Sequence, residues 1–305
     1  MRRLDNIVIG LIGLLAVCLF SGCSRAPSPS GGGVRIVSAA PGLTECLCAI
    51  GAEGKLVGRT DVCNYPPSVG AVPVTGKFAQ PFLEATLAVA PTHIVECSWL
   101  DESIREKFRE LGVEVVTIPC SKIDEVPSAL RQLGKISHHE QTADSVAAGL
   151  ERGIAEARKR VRSNIAPPRV LVLVDSSAPI TVGPDTFISE MVTLAGGTNI
   201  AERASADYYH LSMEWLLLHQ PDLILCLFHQ TGHKTDGYEN YTSLFSERPG
   251  WKTLRAVRNH CVFTVPDIDS AVRPGPRILE GIREIQTVAA QCAAGNEAAL
   301  KGATP

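Results

Sequence analysis

The sequence is short of the features that would assign it at sight. Neither sign of charge is in excess: 29 Lys and Arg face 32 Asp and Glu, a formal net charge of −3. That balance gives no electrostatic case for nucleic-acid binding or for a polybasic membrane-surface protein. No G-x-S-x-G, P-loop or H-E-x-x-H occurs, so the usual nucleophile, phosphate and zinc signatures are missing and no enzyme is expected. No C-x-x-C is present; Cys46 and Cys48 form only C-x-C, and the cysteine spacing matches no zinc site. The apolar stretch from Ile7 to Phe20 counts 14 residues, short of the roughly 20 that span a bilayer. What is there is an ordinary globular composition, 45% apolar and 20% charged over 305 residues, enough for about two domains.

The apolar stretch follows Arg2 and Arg3, the arrangement of an export signal. It ends in Leu19-Phe20-Ser21-Gly22-Cys23, which resembles the bacterial lipoprotein box, with Phe20 where leucine is commonest. Residues 1–22 are therefore expected to be a lipoprotein signal peptide and Cys23 the lipidated residue; plain cleavage with an incidental Cys23 is the alternative. Residues 23–33 are polar and rich in Pro and Gly and read as a flexible tether. The expected location is extracytoplasmic, anchored through lipid to a bacterial membrane, on the periplasmic side or the cell surface. Such a compartment permits disulfides.

Sliding the chain against itself shows a repeat. FLEATLAVAPTHIV (82–95) overlays SMEWLLLHQPDLIL (212–225), placing Glu84 on Glu214 and Pro91 on Pro221; each copy reads helix, proline breaker, buried strand. LTECLCAIGA from 43 overlays ISEMVTLAGG from 188, and VVTIP from 115 overlays VFTVP from 262. Three repeated elements in one order mean two similar lobes rather than a solenoid of short repeats. Between them, Val146, Leu150, Ile154, Ala157 and Val161 recur at helical spacing. The expected organisation is an N-terminal lobe over 34–136, a linking helix over 137–164, a C-terminal lobe over 165–292 and a tail over 293–305. Alternating strands and helices predict α/β lobes with parallel-type sheets, and a ligand cleft between the lobes at the strand carboxyl ends.

The segments IVSAAPGLTECLCAIGA, LVGRTDVCNYPP, LEATLAVAPTHIV, LRQLGKI, LAGGTNIAE, LSMEWLLLHQPDLIL and the block from ERPGWKTLRAV through VRPGPRILEGI together resemble one family. It is the helical-backbone class of extracytoplasmic substrate-binding proteins of ABC importers, in its vitamin B12-binding and ferric-siderophore-binding branch. The resemblance implies two lobes on a rigid helix, a metal-chelate small molecule in the cleft, and delivery to a permease dimer with its ATPase. No nucleic acid and no cofactor beyond the transported ligand are implied, and a monomer is expected. It also gives Glu84 and Glu214 the role of pairing with permease arginines, although a carboxylate in a first helical turn also favours the helix dipole.

The ligand is expected against loops that follow the strands. Candidates are Tyr65, Phe78, Trp99, Tyr208, Tyr209 and His210, since aromatic faces can hold a planar ligand and a phenol or imidazole can coordinate iron or cobalt. Asp269 and Arg273 fall on a ligand-contacting block of the B12 binders, where Arg offers a fork of donors. Val62, Ser270 and Ala271 depart from the B12 pattern. The ligand expected is cobalamin or a related corrinoid, with a ferric siderophore or haem as the alternative; a bare-metal binder using His229 and His233, and a sensory lipoprotein without transport, are further alternatives. Cys63 and Cys97, each just after a strand of the first lobe, are candidates for a disulfide that would contribute about 4 kcal/mol; two free thiols are the alternative.

Overall fold

Short strands buried on both faces organise each half of the chain. In the first half, β1 (Ile36–Ser38), β2 (Leu56–Thr60), β3 (Val74–Lys77), β4 (Gln80–Pro81), β5 (His93–Glu96) and β6 (Glu114–Thr117) form one sheet in the order β4-β3-β2-β1-β5-β6. All neighbours are parallel except β4, which folds back on β3. Around it pack α1 (Pro41–Ala49), α2 (Leu83–Ala88), α3 (Glu102–Glu110) and α4 (Glu125–Ser137). The computed structural model describes residues 33–161, 166–201, 206–228 and 237–302, and from Val34 onward the chain forms one unit.

The second half repeats the plan. β7 (Arg169–Leu173), β8 (Ile180–Val182), β9 (Thr198–Asn199), β10 (Tyr208–His210), β11 (Leu223–Cys226), β12 (Glu239–Asn240) and β13 (Val262–Thr264) are its strands. Five form a sheet in the order β12-β13-β11-β7-β9, parallel except for β12, while β8 and β10 pair antiparallel beside it. The helices are α6 (Phe187–Leu194), α7 (Met213–His219), α8 (Thr242–Ser246), α9 (Arg255–Arg258), α10 (Ile268–Val272) and α11 (Ile278–Gly302), after the linking helix α5 (Glu140–Val161). The four-strand orders β2-β1-β5-β6 and β9-β7-β11-β13 are the same, so the sequence repeat is a repeat of topology. The architecture is two α/β lobes with parallel-type sheets joined by one long helix.

Local chemistry repeats with it. α1 and α6 each end just before a glycine in the left-handed region, Gly51 at φ 80° and Gly196 at φ 89°, where a side chain would be strained. After α2 and α7, Ala90 (φ 43°) and Gln220 (φ 42°) turn the chain left-handed at matching positions. Pro91 and Pro221 follow and prevent further helix, and the chain enters β5 and β11, whose apolar residues are fully buried as parallel strands between helix layers require.

The linking helix is about 33 Å long at 1.5 Å per residue. It starts at Glu140, because Ser137 belongs to α4 and His138 stands between the two helices at φ 60°. Ala143, Ala147, Leu150, Ile154 and Ala157 form its buried stripe. Its flank toward α4 is laced by ion pairs: Arg131 forks onto Glu151 at 2.6 and 3.0 Å and reaches Asp144 at 3.2 Å, and the Arg131 hydrogen bond holds the Glu151 carboxyl below its usual range. The basic run of α5 is thus a solvated helix face, with Arg158 on Asp124 at 2.7 Å. Residues Leu43 and Leu47 of α1, Leu130 of α4, Ile154 of α5, Met191 of α6 and Ile282 of α11 belong to one continuous apolar core, so both lobes share an interior on the helix side.

One further contact ties the halves together, and a disulfide closes the second half on itself. Glu45 on α1 is 2% exposed and receives Arg277 as a fork, Nε to Oε2 at 2.7 Å and Nη2 to Oε1 at 2.8 Å. Arg277 also pairs with Asp267, and its guanidinium lies 3.8 Å over the ring of Tyr65. A disulfide joins Cys261, before β13, to Cys292 on α11. The expected Cys63–Cys97 bridge is absent. Both thiols are free: Cys63 is turned into the core between the hydroxyls of Thr60 (3.0 Å) and Thr44 (3.1 Å), whereas Cys97 lines the cleft.

Removing one partner of a buried ion pair leaves the other charge uncompensated. Glu45→Ala should therefore cost about 3–5 kcal/mol, and Glu45→Met combined with Arg277→Met should cost less than the single change. Urea unfolding of the three proteins checks this; equal midpoints for wild type and Glu45→Ala would remove the pair from the list of interlobe restraints.

Candidate ligand-binding cleft

The carboxyl ends of the parallel strands converge on a cavity of about 470 Å³ between the lobes. The first lobe contributes the start of α1 at Ala40 to Leu43, Phe78 after β3, Cys97 and Trp99 after β5, and Cys120 to Lys122 after β6. The second contributes Asp185 to Ile188 at the start of α6, Asp207 and Tyr208 at the start of β10, and Val272 to Pro274 at the end of α10. Both repeated helices therefore point their amino ends at the cavity, α1 with Pro41 in its first turn and α6 with the Thr186 hydroxyl accepting from the Ser189 N–H at 3.2 Å. The floor is closed by backbone approach: a Cβ on Gly42 would stand 2.0 Å from the carbonyl oxygen of Pro274, so only glycine fits there.

Three large aromatics stay open to the cavity. Trp99 is 57% exposed, Tyr208 52% and Phe78 40%. Phe78 and Trp99 sit together on the first-lobe wall, ring centroids 5.8 Å apart and tilted by 52°. Tyr208 faces them from the second lobe. The pleat of β10 decides which tyrosine is available: Tyr209 points the other way, packs on the second-lobe core and donates its hydroxyl to the Ala201 carbonyl at 3.0 Å. His210 is exposed on β10 and outside the cavity lining. Burial, and then the nearby Asp207 charge, push the Tyr208 phenol up from its ordinary value.

The Trp99 loop is held by a residue that the sequence reading passed over. Glu96, the last residue of β5, is buried and accepts the N–H groups of Trp99 (3.0 Å) and Leu100 (3.3 Å) on one oxygen. Its other oxygen accepts Arg105 Nε at 3.2 Å and the Thr117 hydroxyl. Four donors on one carboxylate fix a turn in which Ser98 takes φ 66°. A carboxylate at the end of the short strand HIVE, directly after two buried apolar residues, was the available signal.

Of the eight ligand residues expected, the cavity collects Phe78, Trp99, Tyr208 and Arg273. Arg273 borders it with its donors engaged: Nη1 to Asn64 Oδ1 at 2.6 Å, Nη2 to the Val62 carbonyl at 3.1 Å and to Asp269 at 2.9 Å. Asp269 in turn accepts Asn64 Nδ2 at 3.1 Å, and Tyr65 lies under Arg277. Asp269 and Tyr65 therefore serve contacts between lobes rather than the cavity wall. Lys122, also not anticipated, reaches across the cavity to the Asp185 carbonyl. His229 and His233 lie outside the described residues, among which no group of three His, Cys, Asp or Glu side chains is placed to hold a metal ion. Cys23 also lies outside them.

Glu84 and Glu214 are exposed in the first turns of α2 and α7. The backbone N–H of Glu214 and the hydroxyl of Ser212 hold the Glu214 carboxyl below its usual range. Beside Glu214, Leu217 and Leu218 are exposed as well.

Two lobes of this kind, with the cavity at their strand ends and a helix spanning them, define a cleft-type ligand-binding protein. Residues 36–268 match the periplasmic binding protein family, and the chain belongs to it. It is a substrate-binding protein of an ABC importer, a class that works with a permease and an ATPase, binds a small molecule and carries out no reaction. The chain is 26% identical over 259 residues to the ABC transporter substrate-binding lipoprotein YvrC of Bacillus subtilis, covering 82% of this chain and 78% of that one. It is 27% identical over 258 residues to the vitamin B12-binding protein of Pectobacterium atrosepticum, covering 82% and 86%. The periplasmic haem-binding protein RhuT of Roseiflexus superposes with a TM-score of 0.75 at 25% identity, covering 86% of this chain and all of that one. Among the described residues no helix is long and apolar enough to cross a membrane.

Glutamine at position 96 would keep one acceptor oxygen and set an NH₂ against either the Trp99 and Leu100 N–H groups or Arg105. Glu96→Gln should cost about 1–3 kcal/mol and shift the Trp99 emission, read against a Trp99→Phe control. Unchanged emission with an unchanged unfolding midpoint would deny Glu96 its hold on the loop.

Proposed function

We propose that the protein is anchored outside the cytoplasmic membrane through lipid on Cys23 and captures a planar metal tetrapyrrole, which it presents as a monomer to its permease. The observation that carries the ligand class is the opposition of Phe78 and Trp99 to Tyr208 across a cavity whose other walls are mostly apolar. A flat conjugated ring is the ligand that gains most from aromatic faces on both sides.

Within that class haem is favoured over a corrinoid. The Asp269 and Arg273 block that a B12 binder would turn to its ligand is spent on Asn64, Val62 and Glu45, and Tyr208 puts a phenol, one of the axial ligands known for haem iron, on the cavity wall. The B12-binding relative keeps a corrinoid as the second reading. Lys122 is the cation at the cavity edge whose ammonium is suited to a carboxylate on the ring's rim.

Titration of the full chain with haemin and with cyanocobalamin, followed by absorbance, tests this. Haemin should bind with a displaced Soret band; Tyr208→Phe should alter that band, and Trp99→Ala should weaken binding about 5- to 150-fold. Binding of cyanocobalamin without haemin would reverse the order, and binding of neither, with a ferric siderophore bound instead, would remove the tetrapyrrole reading.

Permease docking is assigned to Glu84 and Glu214, which occupy the same place in both lobes. Glu84→Arg with Glu214→Arg should leave ligand affinity unchanged and abolish uptake, because like charges at an interface are costly. Cys23→Ala should release the protein from membranes, since one or more acyl chains are its hold on the bilayer. Normal uptake by the double variant, or membrane retention of Cys23→Ala after signal cleavage, would refute the respective assignment.

A further inference from the structure

The cleft floor carries two thiols, Cys97 and Cys120, that take no part in the aromatic walls of the cavity. Cys97 follows β5 and Cys120 follows β6, strands that run parallel as neighbours with Glu96 opposite Thr117. That register sets Cys97 beside Ile118, two residues before Cys120, on the adjacent chain. Both cysteines line the same cavity and both are free, although the disulfide Cys261–Cys292 forms elsewhere in the molecule. Each is buried except for the face it gives to the cavity. Cys120 Sγ also lies 3.4 Å from the carbonyl oxygen of Pro274, where the thiol donates to the second lobe.

We propose that Cys97 and Cys120 form a two-thiol site for a thiophilic centre, a soft d¹⁰ cation or a trivalent arsenical, held between two sulfurs at the cleft floor. Soft thiolates select such centres over oxygen-seeking cations. No third His, Cys, Asp or Glu side chain completes a metal cluster among the described residues, so the site suits ions content with two ligands rather than tetrahedral zinc. With a divalent cation the step is exchange of protons for metal: two S–H bonds break, two S–M bonds form, and two protons leave. With phenylarsine oxide the same thiols form two As–S bonds and release water, arsenic remaining trivalent.

Their resting state fits the role. Burial, followed by the nearby Glu96 charge, pushes the Cys97 thiol up to about 12. Burial raises Cys120 as well, and the neighbouring Cys97 thiol adds to the shift. Both are thus protonated at neutral pH and slow toward oxidants that attack thiolates, while a coordinating centre deprotonates them outright. The site does not depend on the identity of the transported ligand, but it lies in the same cavity and the two occupants exclude one another.

The test uses the mature full-length protein, phenylarsine oxide and mercuric chloride. Intact mass should show one arsenical per chain at stoichiometric addition, with Cys97 and Cys120 protected from alkylation in peptide maps of the wild type. Cys97→Ser and Cys120→Ser should each weaken binding about a hundredfold, because the second sulfur closes intramolecularly. The peptide map does not require either variant to fold. Retention of the adduct in both variants with its loss in Cys46→Ser, or a Cys97–Cys120 disulfide in the protein as isolated, would overturn the assignment.

Discussion

The buried ion pair between Glu45 and Arg277 is the contact on which the cleft geometry rests. It joins residues 232 apart in sequence, one on the first helix of the first lobe and the other leading into the last helix of the second. A carboxylate at this depth is tolerable only with its partner in place, so the pair selects one mutual arrangement of the lobes. Around it the same constraint recruits Asp267, Tyr65, Asn64, Asp269 and Arg273, and the Gly42 to Pro274 approach leaves no room for a looser closure. Because the apolar core also runs from α1 through α5 to α11, the lobes behave as two halves of one solid rather than as jaws on a hinge.

That rigidity shapes how the cavity can discriminate. A cleft that does not close far must present its contacts ready-made, which is why a buried carboxylate with four donors is used to fix one loop bearing Trp99, and why the strand pleat of β10 commits Tyr208 to the cavity and Tyr209 to the core. Binding energy then goes to contacts rather than to ordering loops. The cost falls on the ligands that do not match the spacing of the walls.

The architecture was legible in the sequence because it is carried by local rules repeated twice. Buried parallel strands read as short apolar runs; Pro91 and Pro221 stop helices at equivalent points; glycine follows the apolar helix in each copy. The cavity was legible only in part. Phe78 and Trp99 could be named because large aromatics in loops after strands have few structural uses; Tyr208, expected in such a loop, lies on β10 and still lines the cavity. Arg273, Asp269 and Tyr65 were named for the ligand, yet their partners come from positions more than 200 residues away, as in Arg273 on Val62, and no spacing in the chain announces such a pairing. Cysteine pairing failed for the same reason. Cys63 sits near Thr44 and Cys261 near Cys292 through tertiary register, which eight candidate thiols cannot reveal by their order.

The span between Glu45 and its partner also bears on how the protein comes to be folded. Synthesis from the amino end produces residue 45 long before residue 277. Until the final helix has emerged, the first lobe has a charge destined for its interior and nothing to neutralise it, and the stripe of α5 that α11 covers is bare. A half-made chain therefore gains little by collapsing early, and the native state becomes accessible only once nearly the whole polypeptide is present. The ion pair acts as a check on completeness: a molecule truncated anywhere before Arg277 cannot mimic the finished one.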